Sequence, residues 1–337
     1  MHLAVLGAGA LGTLFGASVW QGGGTQVTLI GRGDHVRAIN ERGVLVTDTQ
    51  RGESSVVGDG LTAVTDASQV AGTVDYLMIA VKDRDLHGAL EGARSFRGRV
   101  GCVLSLQNGI EHDDQIRAVF GAEAVIGALT MEGAAMPLPG VIEHILASTT
   151  YLGEFSGART ERVEILAAAF ERGGLRTDVI TDVETAKWTK FVQSCAASGI
   201  CGVSRLGYTS VTGTDAGARL YVRLVNEGLA VMRAQGFELG AHFADAARLH
   251  DISGMPEDAA VAMVRDVAGE LLAGGYTGTT SLARDIQSGR PSEVDAIMGA
   301  MVRSGRRLGI DTPTMSAVYL AIKAVDELNV RAWDPRT

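Results

Sequence analysis

Two rhythms of hydrophobic positions divide this chain. Before Asp182, nearly continuous apolar runs at residues 3–6, 26–30, 76–81, 103–106 and 124–129 read as buried strands, alternating with stretches of helical spacing such as 10–21. Asp34 is placed to cap a short helix ending near Gly43. Residues 44–47 and 54–57, separated by a segment containing Gln-Arg-Gly-Glu, have the form of a small hairpin. Strands that are apolar along their whole length have both faces covered, so this alternation predicts a parallel sheet with helices on each side. From Asp182 onward, apolar residues recur at helical spacing over 183–203, 215–235, 257–273, 293–308 and 314–328, and Gly254, Pro256, Gly274, Gly275 and Pro291 punctuate the gaps. A chain of 337 residues exceeds what one hydrophobic core usually fills. The expectation is therefore an α/β domain over 1–181 and an all-helical domain over 182–330, with the cleft between them as the default place for a small ligand.

The first strand runs directly into Gly7-Ala8-Gly9-Ala10-Leu11-Gly12. Gly7 permits a tight strand-to-helix turn, Gly9 lets backbone approach a phosphate, and Gly12 lets the helix pack closely on the strand. A pyrophosphate would rest on the helix N-terminus, where unpaired N–H groups and the helix dipole favour negative charge. The first domain is thus expected to be a Rossmann domain binding a dinucleotide. The second strand ends in Gly31-Arg32, where NAD sites usually place a carboxylate for the ribose hydroxyl. A guanidinium there can hold a 2′-phosphate bidentately, which favours NADP(H). The other readings are a solvated Arg32 and, were Asp34 to face the ribose, NAD.

Composition narrows the classes. The net charge of −9 and scattered basic residues leave no footprint for nucleic acid. Cys102, Cys195 and Cys201 are odd in number and lack paired metal spacing, and the seven histidines form no ligand motif. No metal and no disulfide framework are expected, which points to a reducing, cytoplasmic setting. The apolar N-terminus has no Lys or Arg before Arg32 and is punctuated by glycines, so it reads as strand and helix rather than a secretion signal. No stretch is long and apolar enough to cross a bilayer as a helix.

Three polar segments follow buried elements. Lys82 ends the strand at 76–81, at the edge where open α/β sheets bind ligands, although a strand-terminal Lys is also routine. Gln107-Asn108-Gly109 forms a polar turn after the next strand, a composition that turns adopt for conformational reasons alone. Lys187-Trp188-Thr189-Lys190 lies near the start of the first helix of the second domain. A Lys there can protonate a developing alkoxide while a nicotinamide delivers hydride, and desolvation would lower its pKa toward working pH. A solvated Lys is the commoner reading.

Taken together and in order, Gly7 to Gly12, Arg32, Val81-Lys82, Gln107-Asn108-Gly109, Trp188-Thr189-Lys190, Ser281 with Asp285-Ile286, and Glu293-Val294-Asp295 make the chain resemble the ketopantoate reductase (2-dehydropantoate 2-reductase) family from end to end. The resemblance implies a helical C-terminal domain of the 6-phosphogluconate dehydrogenase type and NADPH-dependent reduction of a small 2-oxo acid to an (R)-2-hydroxy acid. It implies Lys190 as general acid and Glu293 as the group that positions Lys190 and substrate. It implies Asn108 and Lys82 beside nicotinamide and substrate, and Ser281 on the substrate carboxylate. A homodimer formed through the helical domain is implied in the same way.

The family usually carries Asn four and eight positions after the catalytic Lys, where this chain has Ser194 and Ser198. Both remain on roughly one face of the helix, so two hydroxyls replace two amides at the substrate-binding positions. The hydride chemistry depends on Lys190 and the cofactor, whereas recognition of ketopantoate depends on matched hydrogen bonds. Ketopantoate is the leading substrate. The alternatives are a D-2-hydroxy-acid dehydrogenase acting on another branched or aromatic carbonyl compound and, from a different class, a protein that senses NADP(H) without turnover.

Overall fold

Alternate residues of the strand His2–Leu6 feed two different cores. Leu3 and Val5 pack with Leu14, Phe15 and Phe170, whereas Ala4 and Leu6 pack with Leu86, Leu90, Phe96 and Ile116. A strand buried on both faces must lie inside a sheet sandwiched by helices, and burying each such Leu or Phe contributes roughly 1.5–3 kcal/mol. The computed structural model describes residues 1–58, 60–242 and 246–333. Five parallel strands form the sheet, in the order Thr62–Val64, Gln26–Ile30, His2–Leu6, Val74–Ile79, Val100–Ser105. The order reverses direction between His2–Leu6 and Val74–Ile79, in register Leu3 to Tyr76. That switch point opens a crevice beyond the strand ends, where the chain enters Gly7 and Ala80.

The chain forms two compact units. One comprises Met1–Gln107 and Glu111–Glu184, and the other comprises Asn108–Ile110 with the chain from Thr185 onward. Beside the parallel sheet, the first unit holds two smaller sheets. In one, Val44–Asp48 pairs antiparallel with Glu53–Val57, the expected hairpin, and parallel with Val141–Leu146, itself paired with Gly133–Leu138. In the other, Gly127–Thr130 and Thr177–Val179 flank Thr150–Gly153.

The expected strand at 124–129 is corrected by this arrangement. Gly127–Thr130 pairs antiparallel with Thr150–Gly153 and does not extend the parallel sheet, although Val125 bridges Val103 in parallel. An apolar run marks a buried strand without naming its neighbour, and the paired residues lie 20 to 26 positions downstream. A second correction concerns Asp34. The helix Gly33–Arg42 has Arg32 at its N-cap and no side-chain cap, and Asp34 sits in the first turn, bonded to Arg37 at 2.6 Å. Its charge still suits the N-terminal end of the helix dipole.

In the second unit the helices Val183–Ser204, Asp215–Ala234, Glu257–Ala273 and Pro313–Ala332 bury a core that includes Val192, Ile200, Leu224, Val225, Met301 and Met315. The helix expected at 293–308 is built differently. Asp295–Gly299 is a single π-helical stretch that continues as the α-helix Ala300–Leu308, leaving Glu293 outside regular structure. Such π segments are rare and concentrate at functional sites. Among the described residues no helix is long and apolar enough to cross a membrane, and no group of three or more His, Cys, Asp and Glu could hold a metal ion.

Candidate active site

The glycine turn occupies the switch point of the first unit. Gly7 has φ +103°, and a Cβ there would lie 2.6 Å from Val81 N and 2.7 Å from the Ala80 carbonyl carbon. A Cβ on Gly12 would lie 2.2 Å from Gly7 O. Both positions are therefore closed to larger residues by the protein itself. Gly9 differs, because a Cβ on it would meet nothing within 4 Å. It is the N-cap of Ala10–Gln21, extended at φ −86°, and carries no side-chain cap. The turn is held by Gly7 N–H and Ala8 N–H, which both donate to Ile30 O, at 3.0 and 2.9 Å. A helix N-terminus with no side-chain cap and open space at Gly9 fits the approach of a pyrophosphate.

Two further residues from the sequence reading stand on this unit. Arg32 is the N-cap of the helix after the second strand, its side chain is 69% exposed, and its guanidinium lies 3.6 Å from Asp85. Lys82 is the half-buried N-cap of Asp83–Ala93, the helix that follows Val74–Ile79. Asp85 gives no signal in the sequence, since its partner is 53 positions away, from 32 to 85.

The second unit gathers the lysine, the amide and the carboxylate. Lys190 is buried in Val183–Ser204, and its Nζ donates to Asn108 Oδ1 at 3.1 Å. Burial pushes its pKa down, the neighbouring Lys187 pushes it further, and Glu293 opposes them, leaving it at about 8. Glu293 is itself buried. A lysine brought this close to neutrality can give up and regain its proton near working pH.

Local packing explains why this lysine is so placed. Trp188 stacks on Phe237 with ring centroids 5.9 Å apart and meets Phe191 edge-on at 5.7 Å. Thr189 is fully buried, and its hydroxyl donates to Thr185 O and accepts from Gly240 N–H, both at 2.9 Å. These neighbours on the helix fix its rotation and so the direction of Lys190. Asn108 is held by the turn after it: Gly109 has φ +95°, and a Cβ there would lie 2.8 Å from Ala296 O in the π-helical stretch. Glycine at 109 is thus required by close approach as well as by the turn.

Ser194 is half-buried and Ser198 buried, one and two turns beyond Lys190 on the same helix. Ser281 opens a separate helix, Ser281–Gln287, whose N-cap Thr280 accepts from Ala283 N–H. The adjoining Leu282 packs where a Cβ on Gly202 would stand, so Ser281 lies nearer the Ser198 end of the lysine helix than the Lys190 end.

A parallel-sheet unit with an open glycine turn, carried by one chain with a helical unit that buries a near-neutral lysine, defines a nicotinamide-dinucleotide oxidoreductase. Residues 3–157 match the model of the family described as Ketopantoate reductase PanE/ApbA, and residues 182–326 match that family's C-terminal model. The chain belongs to the ketopantoate reductase family. It is 27% identical to the 2-dehydropantoate 2-reductase of Pyrococcus horikoshii, over 97% of this chain and 98% of that one. Among solved structures, a PanE/ApbA family ketopantoate reductase from Ralstonia eutropha superposes with a TM-score of 0.80 at 25% identity, covering 98% of this chain and all of that one. D-mandelate dehydrogenase, solved with NADH and anilino(oxo)acetate, has the same fold, with a TM-score of 0.81 at 22% identity over 98% of this chain and all of that one.

Proposed function

We propose that the protein reduces a small 2-oxo acid to the (R)-2-hydroxy acid with NADPH, ketopantoate being the leading substrate and Lys190 the general acid. The observation that carries this reading is the buried Lys190 ammonium, bonded to Asn108, favoured by Glu293 and brought to a pKa of about 8. When bound, the nicotinamide supplies a hydride to the carbonyl carbon. Lys190 Nζ donates its proton to the oxygen on which charge develops, so hydride and proton together turn the carbonyl into an alcohol. Asn108 Oδ1 orients the ammonium through their hydrogen bond. The negative charge of Glu293 holds the proton on Lys190 until it is needed, against burial and Lys187. Ser194, Ser198 and Ser281 supply hydroxyls for the substrate's polar groups.

The residues from Gly7 to Gly12 hold the pyrophosphate, with Lys82 and Asn108 toward the nicotinamide end. Arg32 is the residue for the 2′-phosphate, and its weak ion pair with Asp85 leaves the guanidinium largely exposed for it. Replacing Arg32 by Ala is expected to raise the dissociation constant for NADPH about tenfold or more, the worth of a charge-assisted hydrogen bond, with little effect on NADH. Fluorescence titration of both nucleotides checks this, and equal effects on the two would remove Arg32 from the site.

Ser194 and Ser198 favour a second reading of the substrate. Each is shorter than the family's Asn and offers no amide, which widens the pocket and suits a bulkier or less polar 2-oxo acid. Turnover of ketopantoate, 2-oxoisovalerate and benzoylformate with NADPH, followed at the nicotinamide absorbance, separates the two. The expected result is the highest kcat/KM on ketopantoate; if it is the slowest, the branched or aromatic acid replaces it.

A further inference from the structure

Glu293 can act on Lys190 only if its carboxylate is held still, yet it stands in irregular backbone ahead of the π-helical stretch. The fastening comes from the last helix, Pro313–Ala332. Asp326 is 3% exposed, and its Oδ1 accepts from both Ser292 N–H at 2.6 Å and Ser292 Oγ–H at 2.8 Å. Ser292 Oγ in turn accepts from Val294 N–H at 3.4 Å. The residues on either side of Glu293 are therefore tied, directly or through one hydroxyl, to a single buried carboxylate.

The same helix holds the next residue. Asp295 accepts from Tyr319 OH at 2.7 Å and from Lys323 Nζ at 2.6 Å, and Lys323 Nζ stands 3.6 Å from Asp326 Oδ2. The helix is itself anchored at its start, where Glu227 accepts from Thr314 N–H and Met315 N–H at 2.9 and 2.8 Å. A buried carboxylate is costly unless its hydrogen bonds repay it, and charge-assisted bonds are the short, directional kind that fix a backbone. These bonds converge on the residues flanking Glu293.

We propose that Asp326 is a positioning residue for the reduction, fixing the Glu293 carboxylate beside Lys190 by fastening Ser292 and, through it, Val294. The inference rests on the acid role of Lys190 proposed above. The charges acting on Lys190 are Lys187 from its own helix and Glu293 from the segment before the π-helical stretch, and Asn108 is its neutral acceptor. Loosening Glu293 removes the attraction that keeps Lys190 protonated and leaves burial and Lys187 in place. The Lys190 proton is then lost at lower pH.

The test compares Asp326→Ala, Asp326→Asn and Ser292→Ala with the native enzyme by kcat and KM across pH, alongside thermal melting. Asp326→Ala is expected to lower kcat about tenfold to a hundredfold, the scale of a misplaced catalytic constellation, and to move the alkaline fall in kcat to lower pH. Asp326→Asn keeps an acceptor oxygen and is expected to recover much of the loss. Ser292→Ala breaks the tie to Val294 and is expected to shift the profile in the same direction by less. A lowered melting temperature with native kcat and an unmoved alkaline limb would make Asp326 merely structural and overturn the proposal. If Asp326→Ala does not fold, Ser292→Ala decides by the same two readouts. Failure of the underlying reading is seen separately, as turnover surviving in Lys190→Ala.

Discussion

Replacing Lys190 by Ala is expected to lower the rate of hydride transfer by about a thousandfold, within the range that positioned proton transfer contributes, while NADPH binds nearly as before. The two effects separate because Lys190 belongs to the helical unit and the glycine turn to the sheet unit. Single-turnover kinetics and nucleotide titration on one preparation check both halves. Unchanged activity would sink the mechanism, whereas no turnover of any 2-oxo acid by the native chain, with NADPH still bound, would favour a protein that senses NADP(H). The pH dependence has a definite sign. With Lys190 as the proposed acid, reduction needs the protonated ammonium, so kcat is expected to be full below a pH of about 8 and to fall as pH rises through it, following the lowered Lys190 pKa. Oxidation of the hydroxy acid needs the neutral amine and rises over the same range. A solvated lysine would place both limbs near pH 10.

Substitutions of Gly9 and Gly12 by Ala are expected to fail in opposite ways. At Gly12 the new methyl would stand 2.2 Å from Gly7 O, a backbone atom that cannot step aside alone. Overpacking of this kind costs roughly 1–3 kcal/mol, so the melting temperature drops and dinucleotide binding is lost with the shape of the turn. At Gly9 the methyl meets no protein atom within 4 Å, and the extended backbone accepts Ala without strain. Stability is therefore expected to stay within about 0.5 kcal/mol of native. The dissociation constant for the dinucleotide is expected to rise about tenfold or more, because the methyl takes the room of the pyrophosphate. Thermal melts beside nucleotide titrations read the two quantities. A Gly9→Ala variant that binds NADPH normally would show that the pyrophosphate does not lie against this turn.

Several features were legible because they are local. The strand read at 3–6 and found at His2–Leu6, the glycine turn and the helix behind it are consecutive along the chain, and each follows from the spacing of its own apolar and glycine positions. Gly9 read alone looks like its neighbours, and only the tertiary contacts show that Gly7 and Gly12 are hemmed in by the protein while Gly9 faces open space. The helix around Lys190 was legible from its periodicity, but its lowered pKa arises from burial, Lys187 and Glu293, two of which depend on packing. The run at 124–129 announced a strand and not its partner, since pairing is settled by residues far along the chain. Asp34 stands two positions inside the N-cap, because a cap is defined by where the chain enters the helix and the extended-to-helical change falls at Arg32.

By itself the sequence determined the sheet-then-helices order, the dinucleotide turn and the set of polar residues from which a site could be drawn, because hydrophobic period and turn chemistry act over neighbouring residues. Only the tertiary structure decided which of those residues work together. Asn108 and Lys190 are 82 positions apart and Ser292 and Asp326 are 34 apart, and no local pattern links either pair. Their meeting is set by long-range burial, which also removes the water that would otherwise keep Lys190 an ordinary surface ammonium.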